Sequence, residues 1–106
     1  MIDIQQVCME LITHAGMAKS SYVEAINIAK KGDISLAKEK IVEGEQQFLL
    51  GHQVHMQMLS SESNKEFDLL KQLLLMHSED QMMSAETVKL FALEIIDLYE
   101  EKFKEK

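Results

Sequence analysis

The sequence contains no proline and no tryptophan, and it has one cysteine, Cys8. Met, Leu, Ile, Glu, Lys and Gln dominate instead, a composition rich in helix formers from end to end. A lone cysteine excludes a disulfide within the chain and indicates a reducing compartment. These absences favour an all-α protein of the cytoplasm.

Charge and hydropathy exclude further classes. With 11 Lys+Arg against 18 Asp+Glu, the net charge is −7, which argues against nucleic acid or an anionic membrane surface as the main partner. No run approaches the roughly 18 apolar residues that a membrane helix needs. The first residues lack the charged and apolar regions of a signal peptide. We therefore expect one domain over residues 1–106, without direct membrane insertion.

Catalytic and nucleotide-binding motifs are also missing. The sequence has no Gly-rich phosphate loop, no CxxC pair, and neither an HExxH nor a GxSxG motif. This argues against a conventional nucleotide-binding or hydrolase site.

The helical pattern is interrupted twice. At the first break, Gly32 suits the left-handed position after a helix and Asp33 suits the N-cap of the next. The second break precedes a capping-box pattern, with Ser63 as N-cap and Glu66 at N3. Short connections between long helices predict an antiparallel, up-down-up three-helix bundle. The predicted helices lie at about 3–31, 34–61 and 64–104.

The first two helices each carry an apolar stripe. On the second, Gly44 and Gly51 lie on or beside the stripe and predict close approach of another helix. His14 lies beside the first stripe and is interpreted as a half-buried packing residue. His52 and His55, three residues apart, could offer a metal two nitrogens, but no Cys or carboxylate constellation completes such a site, so packing is preferred for them as well. The stripe of the first helix is Ile4, Val7, Leu11, Ala15, Ala18, Tyr22, Ala25 and Ala29, and that of the second is Ile41, Glu45, Phe48, His52, His55 and Leu59.

The third helix has a stripe with a polar centre formed by His77, Gln81 and Ser84. Burying a polar group without a partner costs roughly 1–3 kcal/mol, so three such positions need a reason. Two interpretations stay open. The polar centre specifies an assembly, as in some coiled coils, or His77 acts chemically, since histidine titrates near neutral pH and can be a nucleophile. The stripe comprises Phe67, Leu70, Leu74, His77, Gln81, Ser84, Val88, Phe91, Ile95 and Leu98.

A second stripe on the third helix has Asp80 at its centre. The two stripes together cover more surface than two neighbours in one chain can bury, so we expect self-association with Asp80 inside the contact. His77 and Asp80, three residues apart, share one face of the helix. The second stripe comprises Leu69, Leu73, Met76, Asp80, Met83, Thr87 and Leu90.

Several segments match one known family in order and spacing. They are His14–Ser20, Glu24–Ile26 and Ala29–Asp33 in the first helix and the break after it, Ala37–Lys38 and Leu49–His52 in the second helix, and Leu73–Met83 and Glu94–Tyr99 in the third. Through them the chain resembles the lactose/cellobiose-type IIA component of the bacterial sugar phosphotransferase system.

The resemblance implies a homotrimer with nine helices. It also implies that His77 accepts a phosphoryl group on Nε2 from the phosphocarrier HPr and passes it to a cysteine of the IIB component during sugar uptake. Asp80 would meet its two symmetry mates at the trimer axis and bind a divalent metal, which we expect to be Mg²⁺. The competing interpretation is a non-catalytic helical scaffold or adaptor whose polar seam only fixes the oligomeric state.

The chain departs from the family pattern His-Ala-Gln-Asp-His at Ser78, Glu79 and Gln81. Glu79 would repel an incoming phosphoryl group if it pointed into the site, and Gln81 removes a second histidine. Cations are scarce around His77 in the sequence, so we expect the partner to supply the positive charge that stabilises the phosphoryl group.

Overall fold

The computed structural model describes residues 3–59 and 68–104. They form three helices, α1 (Ile4–Lys30), α2 (Ile34–Leu59) and α3 (Leu69–Lys104), and the described part of the chain contains no strand. The ion pair between Lys38 and Glu100 joins the start of α2 to the end of α3, so these two helices are antiparallel. The predicted all-α, up-down-up bundle is confirmed.

Asp and Gly residues set the helix ends. Asp3 caps α1 by accepting a hydrogen bond from the Gln6 backbone N–H. Gly32 has a φ of 99°, the left-handed conformation predicted for it. Asp33 accepts from the Leu36 backbone N–H at 3.1 Å, which confirms the predicted start of α2.

The start of α3 differs from the prediction. Asp68 lies outside the helix, and its Oδ1 accepts the Lys71 backbone N–H at 2.9 Å. The helix therefore begins at Leu69 rather than near residue 64, because a carboxylate at position 68 satisfies an N–H that a longer helix would have bonded internally. The predicted capping box at Ser63 and Glu66 lies outside the described residues.

The predicted α1 stripe forms the centre of the core. Seven of its eight members are buried and Val7 packs beside them. Cys8 joins them as a buried thiol. Four of the stripe residues are alanines, whose small side chains let α2 and α3 lie close to α1.

Close approach at the α2 glycines is confirmed. A Cβ at Gly44 would lie 2.5 Å from Tyr22 Cε1, and one at Gly51 would lie 3.0 Å from Met82 Sδ. The stripe predicted for α2 is wrong at His52, which is exposed. The buried α2 residues follow the two glycines instead: Ala37, Ile41, Gly44, Gly51 and Met58.

On α3, the buried face is different from both predicted stripes. Each residue turns the helix by about 100°, which puts the residues that face α1 and α2 beyond the first stripe and nearly opposite the second. The described residues of the first stripe flank this face and the second stripe is exposed, whereas Phe67 lies outside the described residues. Periodicity failed here because apolar residues surround α3, whereas small residues mark the side that packs closely. The buried residues are Ser78, Met82, Ala85, Ala92 and Ile96.

Candidate functional site

His77 is exposed, at the border between the buried face of α3 and its outward apolar face. Gln81 and Ser84 follow at spacings of four and three on the same side of the helix and are half-buried. The polar centre predicted from the sequence therefore exists, but it lies along the edge where α3 meets α1. An exposed imidazole on a long helix combines access for a partner with a fixed position.

Lys19 of α1 reaches this polar centre. Its Nζ donates hydrogen bonds to Gln81 Oε1 and to Ser84 Oγ, each at 3.1 Å. The expectation that cations are scarce near His77 is thus wrong for the next turn of α3. The signal was present in the sequence, since Lys19 belongs to the His14–Ser20 segment that resembles the family, but its rotation toward α3 could not be read there.

Ser78 turns into the core behind His77. It is fully buried, and its Oγ donates to the Leu75 carbonyl at 2.8 Å. Burial raises the pKa of the neighbouring Cys8 thiol; the hydrogen bond to Ser78 opposes this effect and the charge of Glu79 adds to it. Cys8 is therefore a neutral packing residue rather than a nucleophile.

Glu79 faces α2, on the far side of α3 from His77. Its Oε2 lies 3.0 Å from His55 Nε2. Glu79 comes two positions after His77, so the two side chains point about 200° apart around the helix axis. The charge of Glu79 is therefore directed away from the imidazole. His55, interpreted from the sequence as a packing residue, thus makes a specific contact that joins α2 to α3. His14 is similar, since its Nδ1 lies 2.9 Å from Gln47 Oε1.

Asp80 lies in the middle of an exposed apolar surface. Leu73, Met76, Met83 and Leu90 around it are between 54% and 64% exposed. Among the described residues, no three His, Cys, Asp or Glu side chains are grouped closely enough to hold a metal. One chain supplies a single hard oxygen ligand here, which suits Mg²⁺ in kind but not in number.

Comparison with known proteins assigns the family. Residues 6–100 match the family model of the lactose/cellobiose-specific IIA subunit of the PTS system, so the chain belongs to this family. The match spans nearly all of α1 and α3 and the whole of α2, and it includes His77 and Asp80. The resemblance noted in the sequence is confirmed.

The lichenan-specific phosphotransferase enzyme IIA component of Bacillus subtilis is 35% identical over 98 residues, which cover 92% of this chain and 88% of the relative. The lactose-specific EIIA component of Staphylococcus epidermidis is 26% identical over 97 residues, 92% of each chain. In structure, the chain is similar to the PTS cellobiose-specific enzyme IIA from Bacillus anthracis, with a TM-score of 0.85 and 31% sequence identity over 100% of this chain and 96% of the other.

The PTS family makes the chain a component of a sugar phosphotransferase system. Within residues 3–59 and 68–104, no helix is both long and apolar enough to cross a membrane.

Proposed function

We propose that this chain is a phosphoryl carrier, which accepts a phosphoryl group from phospho-HPr on His77 and passes it to a cysteine of the IIB component during sugar uptake. The observation that supports the proposal most strongly is the position of His77. It is exposed on the helix that the family model matches, beside a polar edge, while Glu79 and Gln81 next to it have partners within the chain.

The transfer needs no cofactor and no net proton change. A neutral nitrogen of His77 attacks phosphorus, the bond from phosphorus to the HPr imidazole breaks, and that imidazole leaves with its other nitrogen still protonated. In the second step, a thiolate of IIB attacks the same phosphorus and His77 leaves as neutral imidazole. Such transfers depend mainly on alignment and on neutralising the charge of the phosphoryl group.

Assembly as a homotrimer is part of the proposal. Large apolar side chains of the second α3 stripe are more than half exposed around Asp80, and covering this stripe with copies of α3 removes it from water. Three Asp80 carboxylates would then meet and repel each other in a poorly solvated interface. A divalent cation such as Mg²⁺, bound by the three carboxylates with water completing its coordination, would relieve this repulsion.

The test is phosphorylation with purified general phosphotransferase components and phosphoenolpyruvate, followed by intact mass spectrometry. We expect a single phosphoryl group on the wild type, in a bond that is labile in acid and stable in alkali. His77→Ala should abolish labelling, whereas His14→Ala and His52→Ala should retain it. Normal uptake by His77→Ala would overturn the assignment, and a wild type that never takes up phosphate would leave the helical scaffold as the function.

A further inference from the structure

Lys19 differs from the other interhelical lysines in what it contacts. Lys38 and Lys89 each pair with a glutamate on a neighbouring helix. Within the described residues, Lys19 is bonded to neutral oxygens only, those of Gln81 and Ser84. It is half-buried, so its ammonium has lost part of its hydration without gaining a counterion. A half-buried ammonium without a counterion is suited to bind an anion.

The ammonium of Lys19 is held on the side of α3 that carries His77. Gln81 lies four residues after His77, and side chains at this spacing are neighbours, with Cβ atoms about 5–6 Å apart. The flexible four-carbon stem of a lysine can sweep its charge over several ångströms. Gln81 and Ser84 occupy two of the three donor positions of the ammonium, which leaves one for a further acceptor.

We propose that Lys19 donates to the phosphoryl oxygens of phospho-His77, with Gln81 and Ser84 as positioning residues that hold the ammonium one turn away before transfer. The inference rests on the proposed carrier function and adds a source of positive charge to it. The chain would then stabilise its own phosphorylated state, whereas the sequence alone suggested that a partner supplies all of this charge. An ammonium near a dianion lowers the free energy of the charged group and therefore its pKa.

The alternative is that Lys19 only ties α1 to α3, and two readouts separate the roles. The first is the equilibrium constant for phosphoryl transfer from phospho-HPr, measured by intact mass. The second is the pKa of the phosphoryl group on His77, measured by the pH dependence of its ³¹P chemical shift. A purely structural lysine would change the melting temperature and leave both of these values as in the wild type.

Lys19→Met should shift the transfer equilibrium toward phospho-HPr by about tenfold, equivalent to about 1.4 kcal/mol, and should raise the pKa of the phosphoryl group. Lys19→Arg should restore both values toward the wild type because it keeps the charge. Lys38→Met removes an interhelical lysine whose partner, Glu100, lies near the far end of α3, so it should leave both values unchanged. If Lys19→Met does not fold, Lys19→Gln removes the charge while keeping a hydrogen-bonding group.

Unchanged equilibrium and unchanged ³¹P titration in a folded, uncharged Lys19 variant would overturn the proposal and leave Lys19 as a tie between helices. A wild type that is not phosphorylated at all would instead overturn the carrier function, and the inference with it. The wild-type sample of the same experiment therefore shows which of the two proposals has failed.

Discussion

Replacing Gly44 with alanine tests the contact that sets the distance between α1 and α2. The new Cβ would lie 2.5 Å from Tyr22 Cε1, 2.8 Å from Tyr22 Cδ1 and 3.1 Å from the Ala18 carbonyl oxygen. Tyr22 is fully buried and the carbonyl belongs to the α1 backbone, so neither can move aside cheaply. The methyl group must push the two helices apart.

Two terms of opposite sign decide the size of the effect. Alanine is more favourable than glycine in a helix by about 1 kcal/mol. Forcing an extra carbon into a packed core costs typically about 1–3 kcal/mol, and the 2.5 Å contact belongs at the upper end of that range. We therefore expect Gly44→Ala to lower the free energy of unfolding by about 1–2 kcal/mol in total.

The other helical glycines provide matched controls. A Cβ at Gly16 meets nothing within 4 Å, so Gly16→Ala should stabilise the protein by about 0.5–1 kcal/mol. Gly51→Ala should fall between the two, because its closest contact is the flexible end of Met82. Urea denaturation of the three variants at one protein concentration gives the order. Equal stability of Gly44→Ala and Gly16→Ala would refute the close approach of α1 and α2.

Three further predictions concern assembly and pH. Light scattering should give the mass of a trimer, and a stable, folded monomer at micromolar concentration would contradict the assembly argument. Chelation should lower the melting temperature and added Mg²⁺ should restore it. The Asp80→Leu variant should be insensitive to chelator and at least as stable as the wild type. A wild-type melting temperature that does not change with chelator would exclude the metal. Burial raises the pKa of Cys8 above its ordinary value of 9.0 and that of Tyr22 above 10.0, so the folded state retains protons that the unfolded state releases. The melting temperature should therefore be unaffected by the titration of these two groups at pH values below their ordinary pKa values, and it should fall as the pH rises above them. Cys8→Ala and Tyr22→Phe should each reduce that fall in thermal melts.

The sequence predicted α1 better than α3 for a physical reason. On α1, one arc is apolar and the remaining surface is largely polar, so only one orientation buries the apolar residues. On α3, apolar residues occupy both the core side and the outward side, and periodicity cannot decide between them. The choice depends on which side allows close packing, and that is known only when the surfaces of α1 and α2 are in place.

The features of the candidate site also differ in whether the sequence could predict them. His77 and Asp80 were found from residue type, spacing and resemblance, all of which are local in the sequence. The contact between Lys19 and Gln81 joins residues 62 positions apart and depends on the rotation of two helices about their axes. No spacing rule within one helix carries that information, and the same holds for the pairing of Glu79 with His55.

The departures from the family pattern each have a partner within this chain. Ser78 is buried and bonds to the backbone, Glu79 pairs with His55, and Gln81 accepts a hydrogen bond from Lys19. Packing within one bundle therefore accounts for these three side chains, and the charge of Glu79 is directed to α2. It does not account for His77 and Asp80, which are exposed beside large apolar residues that are also exposed. We propose that binding accounts for them, through the phosphoryl-transfer partners at His77 and two further copies of the chain at Asp80.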